Sequence, residues 1–179
     1  MSLLIPIKRD YNNSYALKNL VLYGLDMNNT KSHKVLLEGE FIGFGVNPYN
    51  AETIIDSFDV TKRRYDKSDG KQVYHFVLSV YQQYDFGAEH RVDIAKTLIF
   101  DVGNYLLDKG FQNVGFIHNY FGNVHIHFVV NSVNAFTKLK LHNENSFYFE
   151  LLGFLRENWN NLRFNISYNV DDLYGYYSN

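Results

Sequence analysis

The stretch from Ile117 to Asn134, IHNYFGNVHIHFVVNSVN, decides how the rest of the chain is read. Side chains two apart on an extended strand share a face. From Val124 onward, His125, His127, Val129 and Asn131 therefore point one way, and Val124, Ile126, Phe128 and Val130 point the other. The second set is wholly apolar and suits burial against helices. The first begins with two imidazoles. Upstream, Val114–His118 reads as a strand, and a short turn over Asn119–Asn123 separates it from the next. A hairpin there brings His118 beside His125 and His127. Three neutral imidazoles with open coordination positions suit a divalent cation acting as a Lewis acid. Three solvent-facing histidines fit the same spacing, and both alternatives stay open on the residues alone.

Strand and helix signals alternate on either side of this segment. Gln72–Tyr81 (QVYHFVLSVY) is rich in β-branched and aromatic residues and follows the turn-forming pair Asp69-Gly70. Lys34–Ile42 reads as a further strand after a polar loop at Met27–His33, and Asn47-Pro48 opens another turn. Val92, Ala95, Ile99, Val102 and Leu106 recur at helical spacing within Glu89–Leu107, with Lys109-Gly110 as the stop. Phe149, Leu152 and Leu155 do the same within Ser146–Trp159. Shorter helices are expected over Asn13–Tyr23 and Ala51–Arg63. The sum is an α+β domain spanning residues 1–179: a central, largely antiparallel sheet with flanking helices, expected on one face.

Composition narrows the chemistry. The chain has no cysteine, so disulfides, thiolate metal sites and cysteine nucleophiles are excluded. Hydrophobic residues at 46% and charged residues at 20% are those of a globular protein. No apolar run reaches the roughly 20 residues that span a bilayer, and MSLLIPIKRD lacks the charge order of a signal peptide. A cytoplasmic protein without membrane insertion is expected. The formal net charge of −2 is unlike that of a strongly basic nucleic-acid binder. Positive charge is local, in Lys62, Arg63, Arg64, Lys67 and Lys71, and again in Lys138 and Lys140.

The histidine segment resembles the third motif of HUH-superfamily relaxases of the mobilisation (P) class, close to HxDxxxxHxHxxxN. His118, Tyr120, His125, His127 and Asn131 stand at its positions, with Tyr120 replacing the aspartate. Gly45–Tyr81 resembles the family's G-x-N turn, helix, Lys-rich segment and YHFxxSF strand, with Val80 in place of the last Phe. Asn131–Leu141 resembles its NSVN…TGKKL ending without the Gly. The resemblance runs in order over roughly residues 5–145.

It implies a site- and strand-specific DNA nickase that cuts a transfer origin through a 5′-phosphotyrosine, for conjugative mobilisation of a plasmid or integrative element. In Ser14–Lys31 (SYALKNLVLYGLDMNNTK), Tyr23 stands at the family's tyrosine position, with Tyr11 and Tyr15 as neighbouring rivals. His118, His125 and His127 are the implied ligands of Mg²⁺ or Mn²⁺. Asn131, Ser79 and His75 are candidates for support. Lys62, Arg63, Arg64, Lys138 and Lys140 are candidates for DNA contact. Implied partners are single-stranded origin DNA, relaxosome accessory proteins and a coupling protein, and the domain is compatible with the N-terminal part of a longer protein. Two other functions fit the same motif. A rolling-circle replication initiator would use a late tyrosine such as Tyr174, Tyr176 or Tyr177, and a DNA-binding module would keep the fold without the chemistry. An unrelated metal-dependent hydrolase fits the histidines alone.

Overall fold

In the computed structural model, residues 1–25, 35–81, 88–120 and 123–169 are described. The strands are β1 (Leu3–Pro6), β2 (Val35–Phe44), β3 (Val73–Ser79), β4 (Asn113–Tyr120), β5 (Asn123–Asn131) and β6 (Asn165–Ile166). The helices are α1 (Ala16–Gly24), α2 (Ala51–Arg64), α3 (Ala88–Asp108) and α4 (Glu144–Asn158). The strands form one sheet in the order β2-β4-β5-β3-β1-β6. Every pairing is antiparallel except that of β1 with β6. The expected α+β fold with a largely antiparallel sheet is thus observed. The loop at 27–33, with His33, and the tyrosines Tyr174, Tyr176 and Tyr177 lie outside the described residues.

The helices cover both faces of the sheet rather than one. On one face α3 and α4 pack Leu98, Ile99, Val102, Tyr148, Leu151 and Leu155 onto Phe76, Leu78, Ile126 and Phe128. On the other, α1 and α2 pack Leu17, Val21, Ile54 and Phe58 onto Val77, Phe116 and Val129. The reason lies in the strands flanking the histidines. Their second face carries enough Val and Phe to need a cover of its own, and β5 is consequently buried along its whole length. Burial of both faces of a central strand removes the usual contrast between an inward and an outward side.

Local signals account for where the elements stop and start. Helix α2 begins at a capping box, with the Asn50 side chain accepting from the Thr53 amide at 2.9 Å and the Thr53 hydroxyl accepting from the Asn50 amide. Helix α3 ends where Gly110 takes φ +90°, as its amide bonds the Leu107 carbonyl and that of Phe111 bonds Leu106. That paired closure satisfies carbonyls the helix would leave open. In α4 the buried stripe starts with Phe147 and Tyr148, not Phe149, which is 57% exposed. Both choices share Leu152 and Leu155, so spacing alone does not separate them.

Candidate metal centre

The register of the β4–β5 hairpin sets His118 directly opposite His125. His127 lies one residue pair further along the same face, between Phe116 of β4 and Val77 of β3. Ring centroids are 4.7 Å apart for His118 and His127, 5.0 Å for His125 and His127, and 5.6 Å for His118 and His125. All three residues are buried, at 4% exposure or less. Burial removes the alternative of three solvent-facing histidines.

Each imidazole is held from behind by one ring nitrogen. His118 donates from Nε2 to the Gly24 carbonyl (2.9 Å), and His125 donates from Nδ1 to the Asn123 carbonyl (3.0 Å). A carbonyl only accepts, so these bonds fix both tautomers and leave Nδ1 of His118 and Nε2 of His125 carrying lone pairs. Nδ1 of His127 is 3.0 Å from Nε2 of His75. One ligand atom from each of the three histidines can be chosen such that all lie within 4.8 Å of one another. Nitrogens each about 2.1 Å from one ion are at most about 4.2 Å apart. At tetrahedral angles the same nitrogens stand about 3.4 Å apart, so the triad is up to about 1.4 Å wider than a loaded site and would draw together around an ion. Three imidazoles, two anchored on backbone carbonyls and the third on the His75 ring, are a donor set that suits a divalent cation.

Tyr23 comes to the same place from the opposite direction. It sits in the last turn of α1, half-buried, with its ring edge-on to His118 (5.7 Å between centroids) and to His127 (5.3 Å). The next residue, Gly24, explains how the helix end comes so close. A Cβ at Gly24 would lie 2.5 Å from the Phe116 ring, so only glycine lets the backbone rest on the sheet there. The same glycine supplies the carbonyl that His118 donates to.

Other tyrosines stand elsewhere. Tyr11 is buried, and its hydroxyl is 3.0 Å from Nδ1 of His75, whereas Tyr15 is 67% exposed. Burial pushes the Tyr11 phenol up to about 12 despite the opposing Arg9 charge. Burial also pushes His75 down to about 3, helped by the Arg9 charge, so His75 is neutral.

The remaining candidates divide. Ser79 pairs with His125 across β3 and β5 and is half-buried. Asn131 lies four residues beyond His127, about 13 Å along the strand. Its amide nitrogen donates to the Phe58 carbonyl and to Gln112, and its oxygen accepts from Val133. Those bonds tie down the end of β5, away from the triad. Arg63, Arg64 and Lys138 are exposed. Lys62 is buried instead, its ammonium 3.1 Å from both Asp59 and Gln72 Oε1. Burial lowers its pKa, with Asp59 opposing. Lys140 is half-buried and donates to the carbonyls of Asp69 and Lys71.

In the sequence, His75 is one hydrogen bonder among several and Tyr11 only a rival nucleophile. The direct link from His75 to His127 depends on the β3–β5 register, which no local signal reveals. The Gly24 carbonyl carries no sequence signal at all.

A family model for "Relaxase: MobA/VirD2-like, nuclease domain" matches residues 26–157. The matched range contains all three histidines and begins three residues after Tyr23. No curated protein and no solved structure matches the chain. A match that takes in β2 to β5, the hairpin and the histidine triad over most of the chain shows the family: this chain belongs to the MobA/VirD2-like relaxases, as their nuclease domain.

Proposed function

We propose that this domain nicks one strand of a transfer origin by transesterification, with Tyr23 as nucleophile, to mobilise a plasmid or integrative element by conjugation. The observation that carries this reading is the contact of the Tyr23 ring with two of the three histidines, at 5.3 and 5.7 Å between centroids. Tyr23 is thereby the tyrosine that the fold brings to the buried triad among the described residues near the N-terminus.

The reaction exchanges one phosphodiester for another. The Tyr23 oxygen bonds to phosphorus while the bond from phosphorus to the 3′ oxygen breaks. The phenol loses its proton and the departing 3′ oxygen gains one, giving a 5′-phosphotyrosine and a free 3′-OH. Attack by a 3′-OH on that phosphotyrosine reverses the exchange and rejoins DNA. A phenol of ordinary pKa ~10 needs help to lose its proton at neutral pH. His118, His125 and His127 would hold Mg²⁺ or Mn²⁺, which would supply Lewis-acid stabilisation of the charge that develops at phosphorus.

The protein supplies position. Helix α1 fixes Tyr23 beside the triad, and Gly24 joins that helix end to His118 through one hydrogen bond. Ser79, half-buried and paired with His125 across the strands, would contact the DNA strand near the reacting phosphate. Single-stranded DNA then meets exposed Arg63, Arg64 and Lys138, while Lys62 serves the interior. The domain works in the cytoplasm with relaxosome proteins and a coupling protein.

Nicking of a supercoiled plasmid that carries the cognate origin tests the reading. Open-circular product is expected with Mg²⁺ or Mn²⁺, and none with chelator or with Tyr23→Phe. Undiminished nicking by Tyr23→Phe, together with its loss on changing Tyr174, Tyr176 and Tyr177 to Phe, would assign the chemistry to a replication initiator instead.

A further inference from the structure

Behind His127 lies a second layer that the nicking reaction does not itself require. Nδ1 of His127, Nε2 and Nδ1 of His75, and the Tyr11 hydroxyl form an unbroken chain with 3.0 Å at each link. His75 and Tyr11 are both buried, at 6% and 7% exposure. The two imidazole planes lie within 27° of parallel at 5.3 Å between centroids.

A neutral imidazole carries one N–H and one lone pair, so the chain can run in only two senses. In one, Tyr11 donates to His75, His75 donates to His127, and the remaining proton of His127 sits on Nε2. In the other, His127 donates from Nδ1 to His75, and His75 donates from Nδ1 to the Tyr11 oxygen. Only the second leaves a lone pair on His127 Nε2.

We infer that His75 and Tyr11 are positioning residues that hold His127 in the tautomer able to ligate the metal. This rests on the triad being a metal centre. His118 and His125 have their tautomers fixed by backbone carbonyls, which accept in one sense only. His127 alone leans on a partner that can either donate or accept, so its state depends on Tyr11 two links away. Partners of this kind are worth about 10–100-fold in metal affinity.

The experiment measures Mn²⁺ binding by titration calorimetry on the intact 179-residue chain, with thermal melts in chelator as the control for folding. His75→Leu is expected to weaken binding about 10–100-fold. Tyr11→Phe should weaken it by a smaller factor. His75→Gln, whose amide oxygen reaches about where Nε2 sits and can accept from His127, should recover most of the loss. In Zn²⁺-loaded wild type, long-range ¹⁵N–¹H correlations of His127 should show a protonated Nδ1. Wild-type affinity in His75→Leu, or equal weakening by Leu and Gln, would overturn the inference while leaving the metal centre standing. A wild-type protein that binds no Mn²⁺, with His127→Ala no different, would overturn the metal centre and this inference with it.

Discussion

Among single residues, His75 is a buried imidazole with a direct consequence for pH. It is held near 3, far below the ordinary histidine value of 6.5, chiefly by burial and then by the Arg9 charge. The unfolded chain therefore binds a proton between about pH 6.5 and 3 where the folded protein does not. The stability this residue contributes is complete above pH 6.5 and is lost as pH falls towards 3, at up to about 1.4 kcal/mol per pH unit. In chelator-treated protein, urea melts at pH 7, 6, 5 and 4 should show a shallower decline for His75→Gln than for wild type. Identical slopes would mean that His75 is not buried neutral. Its burial is invisible in the sequence, where YHFVLS shows only a histidine on an alternating strand. Its side chain packs against Tyr11 and His127, which tertiary folding brings to its two ring nitrogens.

Among the elements, the site is the meeting of one hairpin with one helix end. The hairpin is legible in the sequence: alternation places His125 and His127 together, and a short turn makes His118 their neighbour. Register then puts His118 opposite His125. The helix end is legible only through family resemblance, because fifteen tyrosines make composition useless for choosing among them. Gly24 is where the two elements touch. Adding one methyl there drives it to 2.5 Å from Phe116 and moves the carbonyl that His118 donates to. Gly24→Ala should cost about 1–3 kcal/mol in stability, the usual range for overpacking, and should weaken Mn²⁺ binding further than the reduced stability explains. Thermal melts beside calorimetry check this, and unchanged values in both would remove Gly24 from the site. The strands β1 and β6 escape a sequence reading for a simple reason. Leu3–Pro6 is a four-residue apolar run without alternation, and Asn165–Ile166 is two residues whose identity as strand comes only from pairing with β1.

For the molecule as a whole, charge is the unusual quantity. A net charge of −2 means that DNA affinity must come from a local patch rather than from the overall field. The basic cluster on α2 looks like one patch in sequence, yet it divides. Arg63 and Arg64 face solvent, while Lys62 turns inward to Asp59 and Gln72. Removing a cation that neutralises one phosphate of a single strand should reduce the salt slope of binding by about 0.7. Arg63→Ala with Arg64→Ala is therefore expected to flatten the salt dependence of oligonucleotide binding, and Lys62→Met to leave it unchanged. A flattened slope in Lys62→Met would return that lysine to the DNA surface.

The nicking function proposed for this domain turns on whether Tyr23 becomes covalently joined to DNA at the histidine triad. The decisive measurement incubates the protein with Mn²⁺ and a 3′-labelled oligonucleotide spanning the cognate origin, digests the adduct, and maps the nucleotide-bearing peptide by mass spectrometry. The nucleotide should lie on Tyr23, with no adduct formed by Tyr23→Phe. A nucleotide on any other residue, or cleavage with no adduct at all, would contradict the assignment of Tyr23 as nucleophile.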